Sequence, residues 1–346
     1  MRKSEKLVLT GGHAATTAVA VIEAIRKDSR LNDFEIIWIG SSVAREGSND
    51  RTLESQIMPK MGIKTFSINA GKIQTKFTAH TLTWLLKIPI GFIESFFLLI
   101  KIRPKVVLSF GGYASFPVVF WAWAFRIPVI IHEQTVAAGR ATLASALFAT
   151  KITLAREESL KYFPVRKTEI IGNPIRESVL KVIPKTKIGN PLTLLVMGGS
   201  RGSDFINELM GQFSQDFLSK FNVIHLGGGN KNVNPGKMAE IYNEADIIIS
   251  RSGANSVSEI LYVKRPAILI PLPRTFMNEQ GKNADYAKEF GIAKVLTESE
   301  ATPKRVEIVI GEIKNNWSEI IGRVKNKKSP DINASTKLAS ILANYI

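Results

Sequence analysis

Four glycine-rich turns carry the first chemical signal in this 346-residue chain: Thr10-Gly11-Gly12-His13, Ser109-Phe110-Gly111-Gly112, Gly198-Gly199-Ser200-Arg201-Gly202 and Ser252-Gly253-Ala254. Each follows a run of β-forming residues and leads into a helical pattern. A turn of this kind offers backbone N–H groups at a helix N-terminus, which suits a phosphate. One glycine turn alone reads as a steric convenience. Four of them at strand ends point to a phosphorylated ligand held in a crevice. His13 closes the first turn, where an imidazole is placed to take a proton near neutral pH. His132 and His225 lie in apolar strand contexts and read as structural, and His80 reads as an ordinary helix residue.

Other chemistries are excluded by what is missing. The chain has no cysteine, which removes disulfides, thiolate metal sites and a thiol nucleophile. Gly198-Gly199-Ser200-Arg201-Gly202 fits the G-x-S-x-G pattern of a hydrolase elbow, but the only later histidine, His225, sits within the next strand. No G-x-G-x-x-G follows the first strand, which weakens a dehydrogenase. The eight aspartates include no pair two residues apart, so the D-x-D that holds a metal–diphosphate is absent and no metal or other cofactor is expected.

Lys and Arg total 46 against 30 Asp and Glu, a net charge of +16. Residues 51–150 carry 11 basic and only 3 acidic side chains. An anionic partner is expected. No nucleic-acid motif accompanies the charge, and RVKNKKSPD at 323–331 reads as a solvated helix end and linker, so no nucleic acid is expected. The opening MRKSEKLVLTGG turns to glycine before an apolar run develops, and the expected location is cytoplasmic. Between Lys105 and Arg126 lie 20 uncharged residues, but Gly111, Gly112 and Pro117 divide them into a strand and a short helix rather than a membrane span.

The elements that must position these turns alternate. KLVLT, EIIWI, KTFSI, KVVLSF and PVIIH are strands separated by helical stretches; after Pro191 the pattern restarts with LTLLVM, FNVIHL, ADIIIS, PAILI and AKVLT. Strand–helix alternation predicts an α/β fold of parallel sheets covered on both faces. Two doubly wound, Rossmann-like domains are expected, 1–172 and 173–330, hinged near GNPIRESV, with a C-terminal helix in 331–346 packing back on the first. The segment 77–103 is apolar and aromatic and flanked by Lys76, Lys87, Lys101 and Arg103, which predicts a monotopic membrane contact. Pro89 is expected to break it into two helices, with Trp84, Phe92, Phe96 and Phe97 inserting.

GGHAATTAV, SFGGYASFPV, IPVIIHEQT, IIGNPIRESV, VMGGSRGSDFINEL, ADIIISRSGANSVSEI and RPAILIPLP, in that order, resemble the MurG-type glycosyltransferases of family 28. The similarity covers nearly the whole chain; its most specific piece is Arg251-Ser252-Gly253-Ala254 with Ser258-Glu259, then Pro271, Gln280 and Asn283. The resemblance implies a GT-B fold, two Rossmann-like domains facing across a cleft. It also implies an inverting, metal-independent transfer of N-acetylglucosamine from its UDP donor to a polyprenyl-diphosphate-linked muramyl-peptide, the lipid I to lipid II step of peptidoglycan synthesis. The enzyme would sit peripherally on the cytoplasmic membrane face, against anionic lipid. Two alternatives are a nucleotide-sugar-binding subunit with partner-dependent catalysis and a glycolipid synthase with a diacylglycerol acceptor.

Position by position, the resemblance implies that Thr10, Gly11 and Gly12 line the donor crevice and that His13 is the catalytic base. Ser200 would contact the UDP diphosphate and Arg176 would offset its charge. Ala254, Asn255, Ser256, Val257, Ser258 and Glu259 would wrap the nucleotide, with Glu259 accepting ribose hydroxyls. Gln280, with Asn283 nearby, would bind the sugar hydroxyls. Thr135 stands where the family has Asn, near the sugar or acceptor, and the stretch at 230–237 is shorter than the family norm.

Overall fold

Strands buried on both faces of a parallel sheet need apolar side chains at every position, and the runs of Val, Ile and Leu in this chain supply them. The computed structural model describes residues 5–12, 14–43, 51–71, 81–199, 202–227 and 237–346, the side chains of 81–87 excepted. It divides into two compact units, Met1–Pro174 with Asn333–Ile346, and Ile175–Ile332.

The first unit runs β1 (Lys6–Thr10), α1 (Ala15–Lys27), β2 (Glu35–Gly40), α2 (Leu53–Lys60), β3 (Lys64–Ser67), α3 (Thr81–Ile102), β4 (Val106–Ser109), α4 (Ser115–Ala124), β5 (Val129–Glu133), α5 (Arg140–Ala146), β6 (Lys151–Leu154) and β7 (Thr168–Ile170). Its seven strands lie in the order β3-β2-β1-β4-β5-β6-β7, every neighbouring pair parallel. Alternation along β1 divides the core: Leu7 and Leu9 pack with Val21, Ile22 and Ile25 of α1, while Val8 faces Ile37, Val107 and Ile131 on the other side. Each such aliphatic side chain contributes about 1.5–3 kcal/mol through burial. In α1 the buried Ala18, Val21, Ile22 and Ile25 recur at i, i+3, i+4 and i+7, the spacing of one helix face.

The second unit runs α6 (Glu177–Leu180), β8 (Leu192–Met197), α7 (Asp204–Gly211), α8 (Gln215–Leu218), β9 (Phe221–Leu226), α9 (Met238–Glu244), β10 (Ile247–Ser250), α10 (Ala254–Val263), β11 (Ala267–Leu269), α11 (Glu279–Phe290), β12 (Ala293–Val295), α12 (Pro303–Asn315) and α13 (Trp317–Val324). Its five parallel strands take the order β12-β11-β10-β8-β9. A last helix, α14 (Ala334–Ala343), belongs to the first unit and packs on α1 through Leu338 and Leu342.

Strand order reverses between β1 and β4 in one sheet and between β8 and β10 in the other. In open α/β sheets ligands bind outside the strand C-termini at such a reversal. The four glycine turns follow these four strands.

One expectation fails here. Pro89 does not split the 77–103 segment: α3 is a single 22-residue helix with the proline inside it. A proline deletes one hydrogen bond and crowds one turn, whereas the part of the helix beyond it is anchored by buried Ser95, Leu99 and Ile102. The packing outweighs the local defect. Among the described residues no helix is long and apolar enough to cross a membrane.

Candidate functional site

In the first unit the turns after β1 and β4 lock together. The Gly12 N–H donates to the Gly111 carbonyl at 3.0 Å, and a Cβ on Gly112 would lie 2.7 Å from the Gly12 nitrogen. With a φ of +91° as well, position 112 admits only glycine without strain. Thr10 ends β1 fully buried, and its hydroxyl has no hydrogen-bond partner among the described residues. His13 lies outside the described residues.

The N-terminus of α1 is already served from within. Glu54, 3% exposed, accepts the Ala14 N–H at 2.8 Å through Oε1. A carboxylate at the positive end of a helix occupies the position a phosphate would take. The first turn is therefore poorly suited to the diphosphate. Sequence reasoning missed Glu54, because its partner lies 40 residues away and no local motif announces it.

At the end of β5 the buried Glu133 organises the following loop. Its Oε1 accepts the Thr135 N–H at 3.2 Å and the Thr135 hydroxyl lies at 3.1 Å from it, while Oε2 accepts the Gly139 N–H at 3.0 Å. Burial pushes the Glu133 carboxyl pKa upward, against these donors, which lower it. Thr135 is thus held by Glu133 and by the Ala137 carbonyl at 2.7 Å. Gln134 joins the glycine turn after β4 to α1, accepting from the Thr17 hydroxyl at 2.7 Å and donating to the Phe110 carbonyl at 3.4 Å.

In the second unit the turn after β8 folds onto the start of α7. A Cβ on Gly198 would lie 2.2 Å from the Ser203 nitrogen, so the backbone closes on itself there. Ser203 caps α7 by accepting the Ile206 N–H. Ser200 lies outside the described residues. Arg251, the residue after β10, braces this edge: Nε donates to the Ser203 hydroxyl at 2.9 Å, Nη1 to the carbonyls of Ile270 and Pro271, and Nη2 to Glu298, while the guanidinium lies over the Phe205 ring. One planar cation ties together the loops after β8, β10, β11 and β12. The motif containing Arg251 was legible in the sequence; this role was not, because its partners are 19 to 48 residues away.

Gly253 begins α10 without a capping side chain, and Ala254, Asn255 and Ser256 are half-buried in the first turn. Val257 and Ser258 are buried, Val257 within the hydrophobic core, so its side chain is committed to packing. Glu259 is only 7% exposed and has two close partners. Arg176 donates to Oε1 through Nη2 at 2.8 Å and Nε at 3.3 Å, and the Tyr242 hydroxyl donates to Oε2 at 2.8 Å. Burial, with the Glu259 charge second, holds the Tyr242 phenol well above its ordinary pKa of 10. The sequence reading gave Arg176 and Glu259 separate tasks; they form one buried ion pair. Farther along, Gln280 accepts the Leu272 N–H at 2.9 Å through Oε1, and buried Asn283 donates to the Ser252 carbonyl at 3.2 Å. The intervening loop carries left-handed Arg274, Met277 and Asn278, strain of a kind that collects at ligand-binding edges.

The sequence matches the glycosyltransferase family 28 N-terminal domain over residues 10–154 and the family 28 C-terminal domain over residues 193–339. The chain belongs to glycosyltransferase family 28. Relatives of this family 28 chain include the UDP-N-acetylglucosamine–N-acetylmuramyl-(pentapeptide) pyrophosphoryl-undecaprenol N-acetylglucosamine transferases of Clostridium kluyveri, 31% identical over 99% of both chains, and of Legionella pneumophila, 31% identical over 98% of this chain and 96% of the relative. Among solved structures it is similar to Acinetobacter baumannii MurG, with a TM-score of 0.71 at 20% identity, covering 98% of this chain and 99% of the other. It is also similar to the UDP-GlcNAc 2-epimerase of Neisseria meningitidis, with a TM-score of 0.64 at 14% identity over 98% and 99%. At these identities the two structures speak to the fold, which is GT-B. The MurG-type resemblance read from the motifs holds.

Proposed function

We propose that this family 28 glycosyltransferase moves N-acetylglucosamine from UDP-N-acetylglucosamine to a polyprenyl-diphosphate-linked muramyl-peptide. The observation that carries the reading is near-full-length similarity to relatives named for that transfer. Glycine turns flanking the strand-order reversal of each sheet support it. No observation favours the diacylglycerol acceptor or the non-catalytic subunit.

In the proposed reaction the acceptor hydroxyl oxygen attacks the anomeric carbon as the bond to the β-phosphate oxygen breaks, and the electron pair leaves with UDP. His13 takes the acceptor proton. Ser200, the helix N-terminus after it and Arg176 balance the charge that grows on the leaving diphosphate without a metal. Residues 254–259 hold the nucleotide with Glu259 on the ribose, Gln280 and Asn283 serve the sugar, and Thr10, Gly11, Gly12 and Thr135 line the donor edge of the first unit. Arg176 directs two of its N–H donors at Glu259, so its charge lies beside α10.

The same reading places the enzyme at the cytoplasmic membrane face, against anionic lipid. Its support is an apolar stripe on α3, where Ile90, Ile93, Phe97 and Ile100 are 45%, 57%, 63% and 42% exposed at the 3-4-3 spacing of one helix face. Exposed Lys101, Arg103 and Arg126 lie at the helix end and the neighbouring turn, and Trp123 is 50% exposed on α4. Phe92 and Phe96, expected to insert, are instead half-buried among the rings of Phe116, Phe120, Trp121 and Phe125. The side chain of Trp84 lies outside the described residues.

Incubation with labelled UDP-N-acetylglucosamine and a lipid-linked muramyl-peptide, in the presence and absence of EDTA, tests the assignment. Label should move to the lipid in both arms, and His13→Ala should slow it by about 10²–10⁴-fold. Transfer to diacylglycerol alone, or none to either lipid, would overturn it.

A further inference from the structure

A carboxylate at the end of a Glu side chain turns freely about its last torsion, so a hydrogen-bonding role for Glu259 requires something to fix its plane. Three helices converge to do this. Arg176, at the N-cap of α6, grips Oε1, and Tyr242, on α9, grips Oε2 from the opposite side of the carboxylate that α10 supplies.

The Tyr242 ring is fully buried in the core of the second unit. Phenylalanine would fill the same space, and a hydroxyl is costly there without a partner. Among the described residues the hydroxyl has one further hydrogen-bond contact besides Glu259, the Met197 sulfur at 3.8 Å, a weak acceptor. Its proton therefore has one good destination. Of the two carboxylate oxygens, Oε1 receives two guanidinium donors and Oε2 receives one phenol, which leaves Oε2 with acceptor capacity beside a fixed donor.

We propose that Tyr242 is a positioning residue for donor recognition: by holding Oε2 it aims the remaining lone pair of Glu259 at a ribose hydroxyl and so sets the preference for ribonucleotide over deoxyribonucleotide donors. The proposal rests on the reading that Glu259 meets the ribose. Arg176 supplies charge balance at Oε1, and Tyr242 supplies direction at Oε2. A site built to hydrogen-bond a hydroxyl rejects an analogue lacking it, because the acceptor is left unpaired.

The test compares binding of UDP and 2′-deoxy-UDP to the full chain, by titration calorimetry, for wild type, Tyr242→Phe and Glu259→Gln. Wild type should favour UDP by about tenfold or more, as expected for a hydrogen bond to a charged group. Tyr242→Phe should bring that ratio toward one while leaving 2′-deoxy-UDP affinity nearly unchanged, and should raise the donor KM more than it lowers kcat. A purely structural tyrosine would weaken both nucleotides equally and keep the ratio. If Glu259→Gln abolishes the preference and Tyr242→Phe keeps it, the positioning role is wrong and the ribose reading stands. If Glu259→Gln keeps it, or wild type shows no preference, the ribose reading fails and Tyr242 falls with it. A Tyr242→Phe chain that does not fold also overturns the proposal, since the hydroxyl would then serve stability.

Discussion

Mild acid should destabilise the first unit through His132. The ring is fully buried on β5, 3.0 Å from the Thr153 hydroxyl and 3.3 Å from Asn173 Oδ1. The Thr153 hydroxyl donates its own proton to the Ile131 carbonyl at 3.1 Å, so the single N–H of a neutral ring serves one of these two contacts. Burial lowers the pKa from 6.5 to about 4; the Asn173 hydrogen bond works against that and the charge of Arg156 adds to it. In the unfolded chain the ring titrates near 6.5. Between these values the unfolded state binds a proton that the folded state refuses, so the stabilisation is complete above pH 6.5 and is lost as pH falls toward 4.

Each pH unit inside that window removes up to about 1.4 kcal/mol, and the whole window on the order of 3 kcal/mol. Glu133 acts in the opposite sense: its raised pKa means the folded state holds a proton longer, which favours folding as pH falls. His225, lowered by partial burial, acts with His132. The His132 contribution is therefore read as the difference between wild type and His132→Gln in urea unfolding at intervals from pH 4 to 7. That difference should shrink steadily below 6.5. A flat difference, or a His132 C2-proton resonance that titrates near 6.5 in the folded protein, would refute the reasoning.

Arg251→Lys keeps the charge but loses the planar fork, so UDP affinity should fall by about 1–3 kcal/mol while uridine affinity holds, as calorimetry with both ligands would show. Replacing the exposed Ile93 and Phe97 by Ser should reduce co-sedimentation with anionic liposomes at low salt and leave UDP affinity intact; unchanged lipid binding would remove α3 from the interface. Gly112→Ala adds a Cβ 2.7 Å from the Gly12 nitrogen at a φ of +91° and should cost about 1–3 kcal/mol in thermal unfolding, where a neutral effect would contradict the locked turns.

Most of the strands were legible because a parallel sheet covered on both faces demands uninterrupted apolar runs, and LTLLVM or IIIS offers no other reading. The glycine turns were legible for a related reason: positions 112 and 198 are forced by backbone contact, and the residue type records the force. The single helix through Pro89 was not, since the defect is written locally while the packing that overrides it comes from rings on α4. Likewise, an apolar residue at 92 and one at 93 look alike in sequence. Only the rotation of α3 against α4 decides which is core and which is surface.

Buried polar groups were the least legible, because their partners are distant in the chain. Arg176 and Glu259, 83 residues apart, were assigned to a phosphate and a ribose as if independent. Their pairing changes what a single substitution measures. Removing either member of a buried ion pair strands the other, at a cost of about 3–5 kcal/mol, whereas replacing both with apolar groups is often close to neutral. Glu259→Ala therefore combines the loss of ribose affinity with a loss of stability, and a weakened UDP isotherm from that variant alone would not isolate the ribose contact. Arg176→Met with Glu259→Met should melt closer to wild type than either single variant, with the two effects falling short of additivity by more than about 1 kcal/mol. If thermal unfolding shows the two substitutions simply adding, the ion pair contributes no coupling and the two side chains act separately, as the sequence first suggested.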